Sequence, residues 1–145
     1  MTPQLRRLSH TVYDCKYHII WCPKYRYRVF QDTIATYTTQ PIYRLCARHE
    51  HVEVLALNVQ PDHIHLVVSI PPKYAIAAFM GYLKGTLAIR LFQRFPLFRS
   101  KYWGRHLWSR GYCVTTIGLD EAKVRQYVEW QECQDRQDEA QPIKD

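Results

Sequence analysis

A turn between two strand-like runs is the feature that most constrains the fold of this chain. Residues 52–59 alternate in character, and residues 63–70 are mainly β-branched and apolar. Pro61 and Asp62, which separate the two runs, are typical of tight turns. Two strands joined by so short a turn predict a β-hairpin, and the fold therefore contains an antiparallel sheet.

Two histidines lie in the second strand of this hairpin. Because side chains alternate along a strand, His63 and His65 point to the same face, about 7 Å apart. Ile64, Val68 and Ile70 point to the opposite face, toward a core. Two neutral imidazole nitrogens on a rigid strand suit a divalent metal ion, although two half-exposed strand histidines without a ligand give the same pattern.

The other segments complete an alternation of strands and helices. Pro41 interrupts the apolar stripe of the first helix, so we expect that helix to be short or kinked and to end near Arg48. Asp120 is a good N-cap for the last helix. The order β-α-β-β-α-β-α predicts an α+β fold: a ferredoxin-like (βαββαβ) antiparallel sheet with helices on one face, plus an added C-terminal helix. The predicted strands are residues 11–22, 52–59, 63–70 and 111–117, the helices are 32–48, 74–95 and 121–137, and a long loop covers 95–110.

The 145 residues suit a single domain. We expect a ferredoxin-like core at about 11–117, a C-terminal helix within 119–137, a polar tail at 138–145, and a flexible or lightly docked arm at 1–10. No apolar window is long enough to span a membrane and no apolar segment follows the basic N-terminus, so we expect a cytoplasmic protein. Five cysteines without a Cys-x-x-Cys pair argue against a disulfide framework or a zinc ribbon.

The formal net charge of +7 is unevenly distributed. Residues 132–145 hold five acidic and two basic residues, which leaves 18 basic against 8 acidic residues in the preceding body, a balance of +10. Such a body favours a polyanionic partner. In residues 24–28 and 95–110 cations alternate with aromatic rings, which suits phosphates and unpaired bases, although a solvated turn with packed tyrosines has the same composition. The candidate nucleic-acid contacts are Lys24, Arg26, Arg28, Lys84, Arg90, Arg99, Lys101, Arg105 and Arg110.

The last predicted helix carries further candidate chemistry. Tyr127 and Gln131 are four residues apart and therefore project from the same face. Gln131 offers a carbonyl oxygen to a metal, and the Tyr127 hydroxyl can attack a phosphodiester to leave a covalent phosphotyrosine. Oxygen-rich sites with open positions suit Mg²⁺ or Mn²⁺. Spacing alone does not single out Tyr127, because the chain has 11 tyrosines and a helical tyrosine is usually packed in a core or an interface.

Five sequence blocks occur in a specific order along the chain. They are residues 61–66 (PDHIHL), 71–74 (PPKY), 83–85 (LKG), 103–109 (WGRHLWS) and 127–131 (YVEWQ), preceded by a similar opening at 17–26 (YHIIWCPKYR). In this combination the chain resembles the single-tyrosine HUH transposases of the insertion sequence 200/605 family. The resemblance extends from about residue 13 to residue 131.

The resemblance implies roles that spacing alone cannot assign. His63 and His65 would be the metal pair and Gln131 a third ligand. Tyr127 would form a 5′-phosphotyrosine on single-stranded DNA and free a 3′-hydroxyl. The resemblance also implies hairpin substrates near element ends, no nucleoside triphosphate, and a homodimer in which the tyrosine helix of one subunit can complete the metal site of the other. Gly118, just before that helix, is a hinge on this view, although it can equally serve a simple turn; as a hinge, Gly118→Pro should slow strand transfer more than DNA binding.

Two alternatives to a transposase stay open. A non-catalytic ferredoxin-like module that binds single-stranded nucleic acid would share the basic body and the aromatic loops. A domesticated, repeat-associated tyrosine nickase would share the whole site and differ only in the DNA that flanks its gene. A zinc deaminase is disfavoured, because the chain lacks a His-x-Glu motif with a paired Pro-Cys-x-x-Cys.

Overall fold

A computed structural model of the protein describes residues 5–102, 104 and 106–140. Its elements, in chain order, are β1 (Arg6–Arg7), β2 (Val12–Tyr13), β3 (Lys16–Trp21), a 3₁₀ turn (Lys24–Arg26), α1 (Asp32–Ala47), β4 (Glu53–Gln60), β5 (His63–Ser69), α2 (Ile76–Arg94), α3 (Pro96–Lys101), β6 (Cys113–Thr115) and α4 (Glu121–Ala140). None of the helices between residues 5 and 140 combines the length and apolar character that crossing a bilayer requires.

Four strands form one antiparallel sheet in the order β4-β5-β3-β6. This is the ferredoxin-like strand order, so the predicted fold class is confirmed. The predicted hairpin is β4–β5, and β5 is paired on both sides. In this register His65 lies opposite Asn58 on β4 and opposite Ile20 on β3, and Ile20 in turn lies opposite Cys113 on β6.

The core lies on one face of this sheet. Ile64, Leu66 and Val68 of β5 are fully buried and belong to the same apolar cluster as Leu83 and Leu87 of α2. His63, His65 and Val67, which alternate with them, are only half-buried and point to the other face. A register slip of one residue would bury both histidines and expose the apolar set, so packing of the core fixes the face on which the histidines stand.

Two segments differ from the expected local structure. Helix α1 ends one residue before Arg48, as expected, but it runs for 16 residues with Pro41 inside it, so the expectation of a short helix is wrong. A proline inside a helix costs about 3 kcal/mol. Pro41, Ile42 and Leu45 are all buried, and this packing offsets the cost. The predicted loop over 95–110 contains the short helix α3, which begins with Pro96 at a position where the missing N–H is not needed.

The two ends of the chain also depart from the expected boundaries. The first predicted strand is split into β2 and β3. Part of the N-terminal arm is docked, because β1 pairs with β2 and Arg6 forms an ion pair with Glu53 at 2.8 Å. The last helix begins where Asp120 predicts, since the Asp120 carboxylate accepts the Lys123 amide at 2.8 Å, and it extends to Ala140 rather than to residue 137. Residues 1–4 and 141–145 lie outside the described part of the chain.

Candidate metal face and tyrosine helix

The turn that precedes β5 holds His63 in a defined orientation. The Nδ1 atom of His63 lies 2.9 Å from Oδ1 of Asp62, and the Nε atom of Arg26 donates to Oδ2 of the same carboxylate at 2.9 Å. The hydrogen bond from His63 is the main reason that the pKa of Asp62 falls to about 2; Arg26 acts in the same direction, against the opposing effect of burial. A carboxylate that accepts from Nδ1 favours the tautomer in which Nε2 is unprotonated. Metal-binding histidines are commonly oriented by such a hydrogen bond.

His65 stands beside a third imidazole. Its Nε2 atom lies 3.3 Å from Nδ1 of His18 on β3, with the two ring centroids 5.5 Å apart. Burial lowers the pKa of His65, and His18 and His63 lower it further. His65 is therefore held in the neutral form that binds metals. His18 was not among the predicted site residues, because only the pairing of β3 with β5 brings it there.

The histidine face fits a divalent metal in part. His63 and His65 share this face, as predicted; Asp62 orients His63, and His65 is held in the neutral form. Within the described residues, no group of three or more His, Cys, Asp or Glu side chains is arranged to hold a metal ion. The face therefore offers the two predicted nitrogen ligands, with His18 beside His65, and further ligands would come from water, from a substrate or from another segment.

Tyr127 and Gln131 meet on one face of α4, as their spacing requires. The Tyr127 hydroxyl donates to Oε1 of Gln131 at 3.2 Å, and the amide nitrogen of Gln131 reaches Oδ1 of Asp135 at 3.4 Å. Burial raises the pKa of Tyr127, and Cys22, Cys113 and Asp135 raise it further. In this position the phenol stays protonated at neutral pH, and it is therefore a weak nucleophile.

A buried carboxylate docks α4 on the body of the protein. Asp135, 2% exposed, accepts the hydroxyl of Ser109 at 2.6 Å and the backbone amide of Tyr25 at 3.0 Å. One turn earlier, Glu132 lies 3.7 Å from the guanidinium of Arg26. Asp135 is absent from the sequence prediction, since a single acidic residue in a polar helix gives no sign of its distant partners.

The two predicted halves of the site are not in contact in one protomer. Among the described residues, the hydrogen-bond and ring partners of Tyr127 are Gln131 and Trp130, not the histidines. Tyr127 lies near Cys113, which shares the histidine face and is separated from His65 by the intervening strand β3. Neighbouring strands are about 4.8 Å apart, so Cys113 and His65 lie roughly 10 Å apart on the same face.

Several predicted nucleic-acid contacts are engaged within the protein. Arg26 is paired with Asp62, and Arg99 donates to the carbonyl of Phe92 at 3.1 Å. The Lys84 ammonium donates to two backbone carbonyls, at 3.0 Å in Ser109 and 2.7 Å in Gly111. Burial lowers the pKa of Lys84 to about 8. These residues have a structural role, and their contact with nucleic acid remains a prediction.

The other predicted contacts differ in exposure. The ammonium groups of Lys24 and Lys101 lie over the rings of Tyr25 and Tyr27, at 5.3 and 5.2 Å. Cations seated on rings in this way remain open to phosphates on their other side. Arg28 and Arg110 are exposed, Arg90 is half-buried, and Arg105 lies outside the described residues.

A cavity lies between α2 and residues 106–110. It has a volume of about 620 Å³, and its walls include Lys84, Arg99, Trp108 and Arg110. Part of the predicted basic and aromatic loop therefore lines a concave surface. Such a surface can receive part of a polyanion.

Fold and site together define a ferredoxin-like domain with a histidine pair on its open sheet face and a tyrosine on an added helix. A sequence profile of the family described as "Transposase IS200 like" matches residues 11–131. The chain belongs to this family of transposases, which confirms the resemblance seen in the sequence.

Individual relatives agree with this assignment. The transposase for insertion sequence element IS200 of Salmonella typhimurium is 37% identical over 134 residues, which cover 92% of this chain and 88% of the relative. The ISDra2 transposase TnpA of Deinococcus radiodurans is 39% identical over 121 residues, or 83% of this chain and 86% of the relative.

Solved structures extend the comparison to the fold. A Deinococcus radiodurans protein assigned as a transposase superposes with a TM-score of 0.77 at 34% identity, covering 87% of this chain and 97% of the other. A REP-associated tyrosine transposase, solved bound to a REP hairpin, superposes with a TM-score of 0.54 at 12% identity, covering 86% of this chain and 68% of the other. At that identity the second likeness concerns the fold alone.

Proposed function

We propose that this transposase cuts and rejoins single-stranded DNA at hairpin-marked element ends through a covalent bond to Tyr127. The observation that carries the proposal is the orientation of the histidine pair: Asp62 braces His63, and His65 is held neutral on the same face. A sheet face prepared in this way, in a family of DNA-cleaving enzymes, is suited to a divalent ion such as Mg²⁺ or Mn²⁺. When bound, such an ion would polarise the scissile phosphate.

The residues of this chain account for the covalent step. The Tyr127 oxygen attacks the phosphorus, the bond from phosphorus to the 3′ oxygen breaks, and that oxygen takes up a proton to become a free 3′-hydroxyl. The phenol proton leaves to solvent or to a neighbouring base. The 5′-phosphotyrosine keeps the energy of the broken phosphodiester, so a second 3′-hydroxyl can reverse the step and join strands without a nucleoside triphosphate.

The position of Tyr127 in the protomer suggests a resting state. Burial raises its pKa there, and its hydroxyl is occupied by Gln131. Reaction therefore requires α4 to bring Tyr127 and Gln131 to a histidine pair, where Gln131 would supply the third ligand. We propose that this happens in a homodimer, with the helix serving the histidine pair of either protomer.

A covalent adduct assay tests the catalytic step. The protein is incubated with a hairpin-bearing single strand taken from beside its gene, with Mg²⁺ or Mn²⁺, and is then denatured. We expect a protein–DNA band that is lost in Tyr127→Phe and after chelation by EDTA, and that is kept in the matched control Tyr43→Phe, because Tyr43 is exposed on α1. DNA binding without any adduct would instead support a non-catalytic binding module.

Mixed dimers test the sharing of the site. Tyr127→Phe and a variant with both His63→Ala and His65→Ala are each expected to be inactive alone. If α4 completes the histidine pair of the partner, mixing the two variants restores adduct formation on the subunit that carries Tyr127. No recovery after verified subunit exchange would show that each protomer uses its own histidines.

A further inference from the structure

An exposed indole lies beside the proposed nucleophile. Trp130 on α4 is 55% exposed, and its ring centroid lies 6.2 Å from that of Tyr127 at an interplanar angle of 33°. The two rings form part of the wall of a cavity of about 250 Å³, together with Tyr112 and Arg110. The cavity is smaller than the roughly 300 to 1,000 Å³ of pockets for drug-sized ligands. It therefore suits one planar group.

The surroundings favour a nucleotide as the occupant. An exposed tryptophan presents a flat apolar face, and stacking of an unpaired base on such a face stabilises binding of single strands without hydrogen-bond readout. Arg110 is exposed on the rim of the same cavity and can pair with a phosphate. Asp138 lies on the helix side of the wall, so the phosphate is expected on the side of Arg110.

We propose that Trp130 is a stacking platform for the unpaired base of the nucleotide that flanks the scissile phosphate. The inference rests on the proposed function in one respect, since it takes Tyr127 as the nucleophile. Trp130 and Tyr127 are three residues apart on the same helix, so the indole accompanies the phenol wherever α4 docks. The platform thus places a base at a fixed offset from the attacking oxygen, in either protomer of a dimer.

Removal of single bases from the DNA tests whether Trp130 stacks on one of them. Abasic nucleotides are placed one at a time on each side of the cleavage position, and both binding and adduct formation are measured. With the native protein, one abasic position is expected to weaken binding by about 5- to 150-fold, the loss of one stacked base. Trp130→Ala should show the same loss on the intact strand and no further loss at that abasic position. Trp130→Phe should keep most of the affinity.

The matched control is Tyr43→Ala, an exposed aromatic residue on α1 that should change neither binding nor its dependence on the abasic position. An unchanged abasic penalty in Trp130→Ala would overturn the inference. So would a shift from dimer to monomer in Trp130→Ala by light scattering, because the indole would then be a contact between protomers.

The two proposals can fail separately. If the native protein forms no adduct but the coupling between Trp130 and one abasic position persists in binding, the catalytic proposal fails and the base platform stands. If the native protein forms adducts but Trp130→Ala keeps the full abasic penalty, the platform fails and the catalytic proposal stands.

Discussion

The histidine strand and the tyrosine helix are held in this protein in opposite ways. Strand β5 is hydrogen-bonded to a neighbour on each side, and its core-facing residues are fully buried. Helix α4 buries three side chains among residues 121–139, and two of them, Gln131 and Asp135, are polar. Its main packing partner is the short 3₁₀ turn at Lys24–Arg26.

This difference indicates which part of the site moves. Exposing the core face of β5 to water loses apolar burial that water cannot replace, at about 25 cal/mol per Å². Releasing the polar contacts of α4 exchanges them for hydrogen bonds to water, which costs about 1 kcal/mol net for a typical bond and about 1.5–3 kcal/mol for one to a charged group. The histidine face is therefore the fixed half of the candidate site, and the tyrosine helix is the half that can undock.

The largest effect is expected from the fixed half. His63→Ala and His65→Ala should each lower the initial rate of adduct formation by about 10³-fold, since a bound metal contributes several kcal/mol to such reactions. The melting temperature should change little, because the strand pairing is made by backbone groups. His10→Ala, on the exposed N-terminal arm, is the matched control. A comparable loss of rate in that control, or a collapse of the fold in either strand variant, would contradict a fixed histidine face that takes part in cleavage.

How much of this comparison the sequence could predict depends on the range of the interactions. The hairpin, the shared face of His63 and His65 and the N-cap at Asp120 follow from neighbours within a few residues, and each is found in the structure. The Tyr127–Gln131 contact also follows from helical spacing. Local periodicity and capping were sufficient for these features.

The remaining features depend on contacts between distant parts of the chain. His18 reaches His65 across 47 residues, and Asp135 reaches Tyr25 across 110. No local pattern marks either residue. Helix α3 was missed for a different reason: it is only six residues long and shows no apolar periodicity. The separation of Tyr127 from the histidines likewise follows from the docking of α4, which its own sequence does not specify.

The second largest effect is expected from the docking of α4. Asp135→Ala leaves the Ser109 hydroxyl and the Tyr25 amide without their acceptor, and a hydrogen bond to a charged group contributes about 1.5–3 kcal/mol. Hydrogen exchange followed by mass spectrometry should show that the opening free energy of residues 121–140 falls by about 2 kcal/mol, with the sheet unchanged. Asp138→Ala, an exposed carboxylate on the same helix, should have little effect. Equal loss of protection in the sheet would show that α4 and the core open as one unit.

A smaller effect is expected at Lys84 and Arg110, and it distinguishes a cation that supports the fold from one that binds DNA. Lys84 ties α2 to Ser109, and so supports the segment on which Asp135 docks. Lys84→Met should lower the free energy of unfolding by about 1–2 kcal/mol and leave the salt dependence of single-strand binding unchanged. Arg110→Gln should instead lower the slope of log K against log salt by about 0.7, the value for one phosphate contact on a single strand. A smaller slope of log K against log salt in Lys84→Met would instead show that Lys84 contacts the nucleic acid.

The smallest effect is expected at Gly118, which lies between β6 and α4. A side chain at Gly118 would meet no atom within 4 Å, and its backbone does not adopt the left-handed region that requires glycine. Gly118→Ala should therefore be tolerated in the docked state and should even stabilise it by about 0.4–1 kcal/mol, because it restricts the unfolded chain. If α4 reaches its reactive position through a conformation that glycine adopts most easily, the same variant slows strand transfer while single-strand binding is unchanged, and Gly118→Pro slows it further. Transfer rates that match the native protein in both variants would place the hinge elsewhere between β6 and α4.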